Sequence, residues 1–418
     1  MAALSPDPMA IGHIDGRTLT LSPRDDRFVQ DPYALYERLH REAPAVMWAE
    51  YGHWCFAAHG DVTALLRDRR FGRQRVPGRF DPPRRGLENF DALERHSLLE
   101  LEPPDHTRLR RLVNRAFVSR NVERLIPAIE RRAHELLDAI PQGEPFDLSA
   151  RYATPLPVET IALLLGVPAS RCDALLDWSH AMVAMYQFDR TAETEATADR
   201  ASRDFADMLR ELIAERRHTP RDDLLTEMLV AADGDATLTE DEIVSTTVLL
   251  LNAGHEATVH QIGNAVRTLL TMPDGFDPRA MLGDDDSAAR VVEECMRIDT
   301  PLHMFTRFAL EDVTYEASGG ETVRLARGDT IGLLLGAANH DPRRFPEPHR
   351  FESTRERLDH VAFGGGIHFC IGAPLARLEM RIALRVLFDR LPKLRMVEMP
   401  RYADIYHFHG LERLVVRG

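Results

Sequence analysis

The stretch Phe363-Gly364-Gly365-Gly366-Ile367-His368-Phe369-Cys370-Ile371-Gly372 decides the reading of this chain. It places one cysteine on a glycine-built loop at the mouth of a helix. The helical pattern runs from about Ala373 to Leu391, with Pro374 in the first turn, where its missing N–H costs nothing. A helix N-terminus offers unpaired N–H groups and the positive end of a dipole, so Cys370 is expected to be held as a thiolate. Gly364, Gly366 and Gly372 permit backbone angles that other residues avoid, and they leave room for something flat to lie against the loop. The plain alternative is a buried structural cysteine in a Gly-rich turn. That alternative leaves the glycines, His368 and the helix start unexplained.

A lone thiolate, open on one side, suits an axial ligand to haem iron. The ten residues fit the signature Phe-Gly-x-Gly-x-His-x-Cys-x-Gly at every fixed position. On these residues the chain resembles the cytochrome P-450 family, from about Pro32 to the C-terminus, and looks like its soluble bacterial branch. The resemblance implies a mainly α fold with a minor β region. It implies a single large domain over 31–418, preceded by a loosely ordered arm over 1–30. It implies haem b (iron protoporphyrin IX), with Cys370 as the metal ligand and Phe363, Gly364 and Gly366 in the loop beside it.

Composition narrows the partners. The chain has 418 residues, 44% of them hydrophobic, enough for a large core. Its formal net charge of −14 argues against nucleic acid and against an anionic membrane surface. Lys393 is the single lysine, so the positive charge is nearly all arginine. The four cysteines, Cys55, Cys172, Cys295 and Cys370, are too far apart for zinc knuckles or CxxC redox motifs. A reducing cytoplasm is the simplest setting. The N-terminal residues show no basic segment followed by an apolar one, and no run of 18 apolar residues occurs, so no leader and no membrane span are expected.

Along the chain, Tyr33 to Glu42 reads as an amphipathic helix, His53 to Ala58 as a strand and Asp61 to Asp68 as a helix. Residues 72–100 read as an irregular loop, and in the family the matching segment covers the substrate pocket. Helical patterns run from Pro104 to about Asp138 and through most of 150–230. Asp233-Gly234-Asp235 is expected to turn into a long helix over roughly Glu240 to Met272. Residues 300–335 read as short strands and 339–360 as a Pro- and Arg-rich meander.

The long helix opens with a capping box, Thr239 to Glu242. Its middle reads Asn252-Ala253-Gly254-His255-Glu256-Ala257-Thr258. Ala253 and Gly254 give a spot with almost no side chain, where a flat ligand can meet the backbone. Glu256 lies in an apolar half of the helix, where an ionised carboxylate is costly without a partner. In the family the Ala-Gly-x-acid segment lies over the oxygen-binding face of the haem and the acid helps to relay protons. The family usually has Thr after that acid. Here it is Ala257, and Thr258 is rotated by about 100° around the helix. His255 and His260 are five apart, about 140° off alignment, so a zinc protease pair is rejected and both are expected as partly buried or surface histidines.

Glu294 and Arg297 match the family's Glu-x-x-Arg, a structural pair on one helix face. His106 and Arg110 share a face and resemble the propionate-binding helix, and Arg307 and His368 complete four donors for two haem carboxylates. Positional resemblance alone gives Met182, Met185, Leu249, Asn252, Ala253, Met304, Phe305, His407 and Phe408 as pocket residues. Polar Asn252 and His407 point to a substrate that carries an oxygen or nitrogen.

The resemblance implies a monooxygenase that inserts one oxygen atom of dioxygen into a mostly apolar small molecule. No flavin or nicotinamide fingerprint is present. Electrons would therefore come from NAD(P)H through a ferredoxin reductase and an iron–sulfur ferredoxin, to a chain expected to be monomeric. Arg108, Arg111 and Arg115 are the expected docking cations. The rivals are a peroxygenase, coupling or desaturating enzyme on the same fold, and a haem sensor without turnover.

Overall fold

A computed structural model describes residues 11–74, 85–116, 122–141, 143–188, 190–233, 236–273 and 276–418. The chain divides into two compact units. The first takes Met1–Arg79, Glu293–Phe369 and Arg401–Gly410, and the second takes Phe80–Val292, Cys370–Pro400 and Leu411–Gly418. Helix predominates and the sheets are small, as the sequence leads one to expect.

The first unit is built on a sheet whose described strands run in the order His13–Asp15, Thr18–Thr20, Ala45–Trp48, His53–Phe56, Thr330–Leu334, Met304–Ala309 and Phe71–Gly72. The Thr330–Leu334 strand pairs parallel with His53–Phe56 and antiparallel with Met304–Ala309. β-Branched and aromatic residues fill these strands and bury two apolar clusters, one around Phe56, Ile331 and Leu333, the other around Phe28, Tyr36 and Trp48. Tyr33–Glu42 is a helix with the expected bounds, and His59–Arg67 is the next one.

The second unit is helical. Its spine is Glu240–Leu270, which begins at the expected capping box: Thr239 Oγ1 accepts from Glu242 N at 3.3 Å and Glu242 Oε2 from Thr239 N at 2.9 Å. Against it pack the helices Pro155–Leu165, Cys172–Val183, Ala192–His218 and Ala373–Arg390. Arg395–Met396, Val415–Arg417 and Phe146–Asp147 form a small sheet in the order 395–396, 415–417, 146–147.

Two expectations change here. The loose arm over 1–30 does not extend through residues 11–30. These form two strands and the helix Asp26–Gln30, with Leu19 and Phe28 fully buried. Residues 1–10 lie outside the described residues. The segment 72–100 is not irregular throughout: residues 75–84 lie outside the described residues, and Glu88–Glu94 is a helix that buries Phe90 and Leu93. In the expected turn at 233–235, Gly234 and Asp235 also lie outside them.

Candidate active site

The cysteine loop contributes to both units, and each is described by itself. In the first, Gly366–His368 forms a turn of 3-10 helix, with His368 half-buried. Gly364 and Gly366 adopt φ of 68° and 67°, a region that suits glycine. A side chain at Gly366 would run into the carbonyl of Leu66, and a Cβ on Gly364 would lie 3.0 Å from Phe305 Cε2. Phe363 is buried, its ring 6.1 Å from that of Phe369. Arg307 is buried on the strand after Phe305, its guanidinium 5.9 Å from the Phe305 ring centre and Nη1 donating to Thr306 O at 2.9 Å.

Glu294 and Arg297 are both fully buried and form a two-pronged pair, Nε to Oε2 at 2.8 Å and Nη2 to Oε1 at 2.7 Å. Arg297 Nη1 also donates to the carbonyls of Asn339 and Pro348, which ties the pair to the meander as expected. Sequence reasoning missed Arg355, which enters the same cluster by donating from Nε to Glu294 Oε1 at 3.1 Å. Met304 is buried in the apolar cluster that holds Cys55 and Leu334. His407 is half-buried, its ring 5.9 Å from Tyr51, and burial pushes its imidazole down to about 4. Phe408 forms a single β-bridge with Leu302.

In the second unit the cysteine loop runs straight into Ala373–Arg390. Cys370 is the half-exposed cysteine of the chain, and Cys55, Cys172 and Cys295 are buried. Burial pushes the Cys370 thiol up, while the N–H groups of Gly372 and Ala373 and the charges of Arg110 and Arg377 pull it down. Burial wins. The expected thiolate is therefore not a gift of the helix terminus alone, and a bound cation is what would complete its deprotonation. Arg377 was not foreseen; it lies one turn into the helix that Cys370 precedes.

His106 and Arg110 lie on the helix Asp105–Ala116, His106 buried and Arg110 half-buried. Leu109 and Val113 of that helix, Leu249 of the long helix and Ile371 next to the cysteine pack into one apolar cluster. The structure thus brings the cysteine, the His106–Arg110 helix and the long helix together. Burial lowers the Arg110 pKa, and Cys370 opposes that shift. Arg108 is not a free docking cation: it is paired with Glu242. Arg111 is exposed, and the Arg115 side chain lies outside the described residues.

On the long helix, Ala253 is exposed although Leu250, Leu251 and His255 are buried. A Cβ on Gly254 would press on Ile161 Cγ1 at 3.0 Å. Asn252 Nδ2 approaches Met182 Sδ at 3.6 Å, and Met182 and Met185 are buried. Glu256 is ringed by histidines: His260 Nε2 is 3.3 Å from Oε1, and His180 and His255 Nε2 are each 3.7 Å from Oε2. Burial works against its charge, but the three imidazoles hold its pKa below the ordinary carboxylate value. Thr258 is buried and its hydroxyl donates to Gly254 O at 3.2 Å, while Ala257 is half-buried.

These features fit a haem. In the second unit Cys370 has N–H donors and cations around it, and the long helix presents the small, exposed Ala253. No described helix is long and apolar enough to cross a membrane.

The model of the family described as Cytochrome P450 matches residues 288–393. Cytochrome P450 107B1 of Saccharopolyspora erythraea is 39% identical over 405 residues, which cover 94% of this chain and 96% of that protein. 6-Deoxyerythronolide B hydroxylase of the same organism is 36% identical, covering 89% and 91%. The crystal structure of P450BioI in complex with hexadec-9Z-enoic acid ligated acyl carrier protein superposes with a TM-score of 0.86 at 32% identity, covering 94% of this chain and all of that one. Such likeness over nearly the whole length, around a single half-exposed cysteine, means that this chain belongs to the cytochrome P450 family and is one of its monooxygenases, an oxidoreductase.

Proposed function

We propose that the chain binds haem b through Cys370 and inserts one oxygen atom of dioxygen into a mostly apolar small molecule. It works as a cytoplasmic monomer, fed from NAD(P)H through a ferredoxin reductase and an iron–sulfur ferredoxin. The observation that carries the reading is Cys370, the one cysteine of the four that is not fully buried, its Sγ met by the Gly372 and Ala373 N–H groups. Family membership implies the haem. When bound it supplies the activation of dioxygen, and the protein supplies ligand, orientation and protons.

His106, Arg110, Arg307 and His368 are the propionate donors. Burial makes the Arg110 charge costly, and a carboxylate beside it would offset that cost. Exposed Ala253 keeps the long helix bare where a flat group must lie, and Gly254 beside it leaves room for the packed Ile161. Glu256 is ionised and held at Oε1 by His260, so it takes up a proton and hands it on. Met182, Met185, Leu249, Asn252, Met304, Phe305, His407 and Phe408 meet the substrate. Asn252 Oδ1 is buried and accepts no hydrogen bond from the described residues, which favours a substrate bearing an O–H or N–H. Relatives named 6-deoxyerythronolide B hydroxylase and Vitamin D(3) 25-hydroxylase support hydroxylation.

The test is spectroscopic and then catalytic. The reduced, CO-bound protein should show the strongly red-shifted Soret band of thiolate ligation. Cys370→His should abolish it, and Ser at Cys55, Cys172 or Cys295 should not. Substrate-dependent NAD(P)H consumption with a surrogate ferredoxin pair, and none with peroxide alone, separates the monooxygenase from a peroxygenase. A globin-like CO spectrum from the folded wild type overturns the ligand.

A further inference from the structure

We infer that His180, His255 and Glu256 form an inhibitory binding site for a Zn²⁺-class divalent metal ion, separate from Cys370 and linking the helices Cys172–Val183 and Glu240–Leu270, whose occupant takes the Glu256 carboxylate out of the proton relay proposed above. The three side chains each offer one ligand atom, all within 4.8 Å of one another. Zinc held at roughly 2.0–2.1 Å by tetrahedral N and O donors sets those donors roughly 3.3 Å apart. The two observed separations from Glu256 Oε2, 3.7 Å each, close to that spacing by small side-chain rotations.

His255 supplies the independent sign of a ligand. It is 2% exposed, and its Nδ1 lies 2.6 Å from the Leu251 carbonyl. A carbonyl only accepts, so Nδ1 carries the proton and a neutral ring presents its lone pair at Nε2. That Nε2 has no hydrogen-bond partner among the described residues. It faces a carboxylate oxygen, which is also an acceptor. Two acceptors that face one another need a cation between them. A metal ion meets that need without protonating the ring. The Nδ1–H held by a backbone carbonyl is also the arrangement that orients a metal-bound histidine.

The rest of the surroundings agree. His260 holds Glu256 Oε1 at 3.3 Å and leaves Oε2 toward the two other imidazoles. The His180 side chain is 57% exposed, which gives an ion a way in and leaves a fourth position for water. Two imidazoles and a carboxylate suit zinc over magnesium or calcium, which prefer oxygen ligands alone. Sequence spacing concealed the site, because His180 lies on a different helix.

Equilibrium dialysis against Zn²⁺ decides the matter, using full-length, haem-loaded protein without an affinity tag and counting zinc and iron by emission spectroscopy. The wild type should hold one tight zinc per chain. Exposed His180→Asn should weaken it more than about 100-fold, and His180→Cys, which restores a zinc ligand, should recover most of the affinity. His260→Gln should weaken it by only about 10–100-fold, the usual cost of losing a group that orients a ligand. Control His13→Asn should change nothing. If the wild type takes up no stoichiometric zinc, or if His180→Asn binds as tightly as wild type, the site does not exist.

Discussion

Arg355 Nε donates to Glu294 Oε1 at 3.1 Å and so joins the buried pair that Glu294 makes with Arg297. The same guanidinium also donates to the carbonyls of Pro346, Glu347 and Arg350. One arginine therefore fixes a stretch of chain that has no ladder of its own. Arg355→Met should cost about 3–5 kcal/mol in denaturant unfolding, because it strands buried acceptors and leaves Glu294 under-compensated. Arg41→Met, which breaks an exposed pair with Glu42, should cost less than about 1 kcal/mol. Equal losses for the two variants would refute the locking role.

Gly366→Ala and Gly320→Ala form a matched comparison. Both glycines have positive φ, 67° and 83°, but only at Gly366 does an added Cβ meet something, the Leu66 carbonyl. Gly320→Ala should cost about 1–2 kcal/mol for the left-handed conformation alone. Gly366→Ala adds a backbone collision and should cost clearly more, with loss of haem during purification. Equal costs in denaturant titrations would show that the loop simply shifts.

What could be read in the sequence followed from local chemistry. The start of the long helix was legible because Thr239 and Glu242 cap it through their own side chains. The Ala373–Arg390 helix was legible from Pro374 and its apolar periodicity. The helix Glu88–Glu94 was not, because Gly78, Pro82 and Pro83 before it dominate a local reading and hide the spacing of Phe90 and Leu93. Arg355 and His180 act only through partners distant in sequence, and no spacing rule reaches them. Glu256 was read as a buried acid in need of company, but two of its companions could be placed only by tertiary structure or by side-chain geometry.

Acid should weaken the fold well before carboxylates titrate. Burial pushes His53 and His407 down to about 4, and it holds His303 and His340 well below the ordinary imidazole value. In the unfolded chain these rings titrate near about 6.5. Between those values the unfolded state binds more protons, so stability rises with pH and levels off above about 7. Going from pH 7.5 to 5.5 should cost about 1 kcal/mol for each such histidine. His53→Gln should flatten the pH dependence of the denaturation free energy by that amount. An unchanged slope would mean that His53 is protonated in the folded state.

Proton delivery has to work without a hydroxyl at position 257. Thr258 does not stand in for it, since its Oγ1 is turned back onto Gly254 O at 3.2 Å and the residue is buried. Ala257 is half-buried one helical turn after exposed Ala253, so the two share a face that carries no donor. A positioned donor within reach, directly or through one water, is nevertheless required. On our reading the substrate's own polar group, near Asn252, holds that water. Coupling should then depend on the substrate. The native substrate should give product close to one per NAD(P)H, and apolar surrogates should leak peroxide. Ala257→Thr should restore coupling for surrogates and change little for the native substrate. Thr258→Ala should leave both nearly as they were, apart from a small change in helix stability. If Thr258→Ala destroys coupling while a substrate stripped of its polar group still couples well, the protein's own hydroxyl is the relay and the substrate-assisted route is wrong.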